Sequence, residues 1–359
     1  MNSKELYKVT GLMSGTSLDG VDIAHCLFKK EANAWSYRIE KADTIRYPRE
    51  WMEQLRHAHS LNGEALIDLD HRYGKYLGKI TASFLSKNKI KPDFVASHGH
   101  TVFHQPGKGF TYQLGNGNAL YAVTGVPVVY DFRSLDVIRG GEGAPLVPAG
   151  DKFLFGEYEV CLNLGGIANL SMDIRKKRIA FDICFVNMGL NYLAAKAGKA
   201  FDKNGAMAAE GEINTRLLKA LNKVYYALRG KRPSLGREIF EKRIMFLLDN
   251  EDISLADRLR TLTESSSREI VDAIRESKLK RPKVLCCGGG TFNSFLVSRM
   301  LELGNDDMTF IIPDDEVVKF KEAMVFAFLG LLRVRDEVNC LKSVTGAPVD
   351  SSGGVLVGF

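Results

Sequence analysis

The 359-residue chain lacks several signatures that would assign a class at once, and each absence removes an option. It has no run of about 18 apolar residues, which argues against a membrane-spanning helix. No Gly-x4-Gly-Lys-Ser/Thr occurs, which excludes a P-loop. Charge of neither sign dominates: 49 basic against 43 acidic residues leave +6, a small excess for this length. The short basic clusters Lys29-Lys30, Arg175–Arg178 and Arg229–Arg232 are not interleaved with aromatics. They read as solvated turns rather than a nucleic-acid surface. Six cysteines, Cys26, Cys161, Cys184, Cys286, Cys287 and Cys340, have spacings that match neither a zinc site nor a disulfide framework. Lying mostly in apolar strand-like runs, they read as buried free thiols in a reducing cytoplasm. Met1–Lys8 carries no apolar signal core, so the expected location is cytoplasmic.

What the chain does have is glycine at the ends of strands. Lys8–Phe28 places two apolar segments around Ser14-Gly-Thr-Ser-Leu-Asp-Gly20. This reads as a β-hairpin whose turn offers N–H groups to phosphates. Asp19 and Asp22 add hard oxygen ligands for a divalent cation beside those phosphates. The same residues also suit an ordinary tight turn. Val160–Met172 is a second strand, glycine turn and strand, and Lys283–Leu296 is a strand entering Gly288-Gly-Gly290 and then a helix. Three such places suit a nucleotide clamped between two lobes. They do not fit a dinucleotide fold, because the Gly11–Gly20 segment turns back into a strand instead of opening a helix.

Periodicity gives an α/β chain long enough for two domains. Strands are expected near 7–13, 21–28 and 36–46 as a meander, followed by a helix from Gly63 to Ser86. Further strands are expected near 93–97 and 126–131. The order restarts after residue 156, with strands near 158–164, 168–173 and 178–183, helices through 188–277, and strands near 283–287 and 308–312. Glu322–Leu332 is nearly all apolar and reads as a buried helix. Arg139–Pro148, with Gly140–Gly143, reads as a crossing between lobes.

At this point the chain resembles the 1,6-anhydro-N-acetylmuramic acid kinases of the sugar kinase/Hsp70/actin superfamily. The resemblance spans essentially the whole chain. It rests on Gly11–Asp22, Ser97–His104, Asp131–Arg133, Gly140–Pro148, Asn163–Asn169, Cys287–Gly290, Lys321–Ala323 and Thr345–Pro348. It implies two actin-like (ribonuclease H-like) lobes with a nucleotide cleft between them. The first lobe would comprise 1–150 and 340–359 and hold the phosphate hairpin and sugar-site loops. The second, 151–339, would hold the second hairpin, the adenosine site and the catalytic Asp. ATP and Mg²⁺ are the implied cofactors. The implied reaction opens the 1,6-anhydro bridge with water while O6 takes the γ-phosphoryl group, a step in recycling a bacterium's own peptidoglycan.

The resemblance carries roles onto particular residues. ATP would meet Gly15, Thr16, Ser17, Leu18, Asp19, Gly20, Val21 and Asp22, then Asn163, Gly165 and Gly166, then Gly288, Gly289 and Gly290, with Asp19 and Asp22 near the metal. Asp182, ending a buried strand, matches the general base on the attacking water; on residue type alone the reading as a strand-end turn former is favoured. Arg133 would orient an acidic substrate group or balance phosphoryl charge, or instead form a structural pair with Asp136. Glu322 reads as a pocket carboxylate or as a favourable charge at a helix start. Thr101 offers the sugar a hydroxyl, or is a loop turn partner. His98, His100 and His104 read as packing and hydrogen-bonding residues rather than a metal set.

Two departures stand out. Where the family usually reads Phe-Asp-Thr-Gly-Pro-Gly-Asn, this chain has Phe181-Asp-Ile-Cys-Phe-Val-Asn187, and His100 replaces a usual Gln. Both lie near the implied sugar pocket, which leaves open a kinase of another anhydro- or amino-sugar. An ATP-binding regulatory protein of the same fold is a further alternative. The expected partners are a small sugar and ATP, with no nucleic acid and no membrane. The resemblance also admits a homodimer.

Overall fold

In the computed structural model, residues 5–15, 18–31, 34–230 and 234–359 are described. The chain divides into two units, Met1–Phe155 with Phe320–Phe359, and Gly156–Lys319.

The first unit is built on a sheet ordered β13-β7-β4-β1-β2-β3. Its strands are β1 (Leu6–Met13), β2 (Gly20–Glu31), β3 (Ala34–Arg46), β4 (Phe94–Ser97), β7 (Val128–Tyr130) and β13 (Val355–Val357). A separate hairpin pairs β5 (His100–Gln105) with β6 (Phe110–Leu114). Strands β1, β2 and β3 form an antiparallel meander, while β4 runs parallel to β1 and β7 parallel to β4. The helix Gly63–Lys87 begins where Asn62 Oδ1 accepts the Ala65 N–H at 2.9 Å, a cap worth about 1 kcal/mol. Its Leu69, Tyr73, Leu77 and Phe84 recur on one face and join Leu12, Val21, Ile23 and Val95 in the core.

The second unit repeats the order. Its sheet runs β10-β9-β8-β11-β12, with β8 (Val160–Leu164), β9 (Ile167–Ile174), β10 (Lys177–Phe185), β11 (Lys283–Cys287) and β12 (Thr309–Ile311). Strands β8, β9 and β10 are the antiparallel meander, and β11 and β12 continue in parallel. Each sheet therefore has the ribonuclease H-like arrangement of an actin-like lobe, and the two glycine hairpins occupy equivalent places.

Two sequence expectations are displaced. The helix Asp315–Val334 contributes its part from Phe320 onward to the first unit, not the second. The cause is close packing on the first sheet: a Cβ on Gly11 would stand 1.9 Å from the Ala323 carbonyl oxygen, and one on Gly330 would stand 2.7 Å from Ala96 Cβ. Gly140–Gly143 is not a crossing between units, since both its flanks belong to the first. Asp136 pins it there, accepting the Gly143 N–H at 2.8 Å and the Thr345 hydroxyl at 2.9 Å.

Candidate active site

In the first unit the β1–β2 hairpin closes with Met13 opposite Asp22. Thr16 and Ser17 of its turn lie outside the described residues. Leu18 adopts a left-handed φ of 60°. Gly20 lies so close to β3 that a Cβ would stand 2.5 Å from the Ile45 carbonyl oxygen. Val21 buries its side chain completely and pairs with Ile45 of β3. Ser14 opens the turn, its hydroxyl 2.6 Å from Tyr47 Oη and 3.2 Å from His100 Nδ1, and Tyr47 continues the chain to Tyr73.

Beside this turn the first unit gathers charge. Asp22 accepts the Thr44 hydroxyl at 2.6 Å. Burial pushes its carboxyl up, Thr44 opposes this, and nearby Asp19 adds to it. Glu322 is also pushed up, chiefly by burial; Lys321 and Arg133 pull it back, while Asp22 and Asp151 reinforce the rise. Glu322 thus lies within electrostatic reach of both Asp22 and Arg133. Lys321 pairs with Asp151 at 2.7 Å, both almost wholly buried. The helix begins at Asp315, so Glu322 sits beyond the first turn, where the dipole has little hold. The helix-start explanation for Glu322 therefore falls.

Arg133 is presented by the strand-end turn after β7. Asp131, at φ 54°, accepts both the main-chain N–H and the hydroxyl of Ser134 through Oδ1, which starts the helix Ser134–Ile138. The Arg133 guanidinium donates to Gly143 O at 2.7 Å and to His98 Nε2 at 3.0 and 2.9 Å. Burial draws it down to about 10, against the pull of Glu322, so it stays charged near neutral pH. Its hydrogen bonds go to these groups and not to Asp136. Thr101 lies on β5 next to a register shift rather than in a loop. His104 Nδ1 meets Thr111 Oγ1 at 3.1 Å. Among the described residues no His, Cys, Asp and Glu cluster is arranged to hold a metal ion.

In the second unit the two glycine turns come together. Gly165-Gly166 closes the β8–β9 hairpin, and the Gly165 and Gly166 carbonyls accept the N–H groups of Asn187, Val186 and Met188. Asn187 Nδ2 donates to Leu164 O at 3.3 Å. Gly288, at φ 86°, follows β11, and a Cβ there would stand 2.4 Å from Asn163 Oδ1. Gly289 has open space, its nearest neighbour being Asn187 Nδ2 at 3.9 Å from such a Cβ.

Asp182 stands on β10 at a bulge that leaves Ile183 without a partner on β9. Bulges beside functional sites re-aim a side chain. The Asp182 carboxylate accepts the Leu235 N–H at 2.8 Å and lines a recess with Ile183, Arg229 and Glu269. Burial raises its proton affinity, and the Leu235 N–H only partly offsets this. Among the described residues no hydrogen bond joins it to Asn163, Asn187 or Gly288–Gly290. The departure after it is mostly core: Cys184, Phe185 and Val186 are fully buried. Phe185 gives its N–H to Tyr225 Oη and accepts the Ser266 hydroxyl. Of the Ile183–Val186 segment, Ile183 alone lines the recess with Asp182.

Sequence reasoning missed the Tyr73–Tyr47–Ser14 chain, Asp151 and Leu235. Each acts through a partner distant in sequence, and no local pattern announces it.

Comparison with known proteins now bears on this arrangement. The sequence profile of the anhydro-N-acetylmuramic acid kinase family matches residues 7–358. The anhydro-N-acetylmuramic acid kinase of Vibrio parahaemolyticus is 35% identical, with 99% of each chain covered. Proteins of the same name from Aliivibrio fischeri and Sulfurimonas denitrificans are 36% and 33% identical, covering 98% and 96% of this chain and 99% and 98% of theirs.

Proposed function

The chain belongs to the anhydro-N-acetylmuramic acid kinase family, and from that premise we propose how its residues divide the work. It is a phosphotransferase acting on 1,6-anhydro-N-acetylmuramic acid, in peptidoglycan recycling. Water adds to C1 of the sugar as the C1–O6 bond breaks. O6 takes the γ-phosphoryl of ATP, whose bond to the β-phosphate oxygen breaks, and ADP leaves. The water's second proton goes to a base, giving N-acetylmuramic acid 6-phosphate.

Asp182 is that base. A carboxylate whose proton affinity is raised by burial accepts a proton better near neutral pH than an exposed one, and a strand holds it rigidly. Arg133, charged and donor-rich, balances phosphoryl charge or grips the sugar's acidic arm. Glu322 and Thr101 face the sugar. Main-chain N–H groups of Gly15–Asp22, of Asn163, Gly165 and Gly166, and of Gly288–Gly290 hold the ATP phosphates.

Asp19 and Asp22 suit a divalent cation, because Asp22 is pushed up by burial and by Asp19, a repulsion that a cation relieves. Bound there, Mg²⁺ would neutralise phosphate charge. No helix among the described residues is long and apolar enough to cross a membrane. A cytoplasmic setting agrees with six buried free thiols.

The observation that carries this reading is the family match across residues 7–358. Mass spectrometry of the product tests it. A gain of one phosphate and one water over the anhydro-sugar is expected, and a gain of phosphate alone would refute the coupled reaction.

A further inference from the structure

His98 has no task in that scheme, yet its ring is held on every side. Nε2 receives Arg133 Nε at 3.0 Å and Nη2 at 2.9 Å. A guanidinium has only donors, so Nε2 must offer a lone pair and the ring proton must sit on Nδ1. From there it donates to Gly99 O at 2.9 Å. It packs on Phe326 with centroids 4.5 Å apart, and the same Phe326 ring lies 5.9 Å from the Arg133 guanidinium. The His98 main-chain N–H is fixed to Leu12 O at 3.0 Å.

We propose that His98 is a positioning residue which, as a neutral imidazole, fixes the plane of the Arg133 guanidinium. An arginine side chain is long and its plane turns freely. Two parallel N–H groups converging on one nitrogen, with Nη1 on Gly143 O, leave it one orientation. Burial and the facing Arg133 charge both hold the imidazole well below its usual range, so it remains an acceptor at neutral pH. This inference rests on the reading of Arg133 as an active-site group.

The test compares His98→Leu, which has no acceptor, with His98→Gln, whose carbonyl oxygen reaches the Nε2 position. In His98→Leu a loss of about 10²-fold in kcat is expected, with KM for ATP little changed, since misplacing one active-site group has that effect. His98→Gln should recover most of it. In a double-mutant cycle, His98→Leu should cost nothing further once Arg133 is Ala. Wild-type turnover in folded His98→Leu, or multiplicative losses in the double variant, would overturn the proposal. Should His98→Leu not fold, ring ¹⁵N shifts of the wild-type protein decide instead. The neutral Nδ1–H tautomer is expected at neutral pH, because burial and Arg133 hold the imidazole well below its usual range; an Nε2–H tautomer would overturn it. Wild-type turnover in Arg133→Ala is a separate result, which would remove the reading of Arg133 and this inference with it.

Discussion

Gly288 and Asn163 touch where the two glycine turns of the second unit meet, and a Cβ on Gly288 would stand 2.4 Å from Asn163 Oδ1. With φ at 86°, the position is closed to side chains on both counts. Its neighbour Gly289 has neither restriction.

Gly289→Val should therefore fold, because the space around it is empty of protein atoms, yet bind ATP at least about tenfold more weakly if phosphates occupy that space. Gly288→Val should lose stability outright, by about 1–3 kcal/mol or more. Calorimetric ATP titration and thermal unfolding of both variants check this. Unchanged ATP affinity in folded Gly289→Val would remove Gly288–Gly290 from the nucleotide site.

Much of this was legible in the sequence. The meanders, their glycine turns and the long helix Gly63–Lys87 follow from local period and turn chemistry, and their ends agree within a few residues. The β5–β6 hairpin and β13 were not legible, because short edge pairings depend on what they pack against. Glu322 looked like a helix start only because the apolar run begins there, whereas the helix opens with polar Asp315 and Glu316. The Ile183–Val186 departure was expected near the sugar pocket, and of its residues Cys184, Phe185 and Val186 are fully buried in the core. Which way each residue faces was hidden by the bulge at Ile183, which breaks the two-residue alternation of β10.

All six cysteines are buried as free thiols, and burial pushes Cys340 up to about 12 and raises Cys184 as well. Only an accessible thiolate reacts. The folded protein should give no rapid reaction with a thiol-titrating disulfide reagent, and the denatured protein should release all six. One fast-reacting thiol in the native state would contradict this burial.

His100 sits buried against Ser14, its imidazole drawn from 6.5 to about 4 by burial. The unfolded chain takes a proton near pH 6.5 and the folded one does not, so stability is full above that value and falls as the pH drops towards 4. The full difference is about 3 kcal/mol for this group. His100→Gln cannot titrate, so its stability should decline less steeply over that window. Urea melts at several pH values check the sign, and identical acid limbs would show that His100 is not the group concerned.

Asp182→Asn separates chemistry from scaffolding at one residue. Asn keeps the size of Asp and an oxygen that can still accept the Leu235 N–H, but it cannot take a proton. The Asp182 carboxyl is raised above its unfolded value by burial, so the folded state binds the proton more tightly and loses stability as pH rises through that raised value. Near neutral pH the ionised group is thus a burden on the fold, and removing its charge should leave the melting temperature unchanged or higher. Turnover should fall by about 10²–10⁴, the usual loss for a general base, while calorimetry still finds ATP and sugar binding. A structural Asp182 gives the opposite pair, a lower melting temperature with turnover per folded molecule retained, and that result would move the base elsewhere.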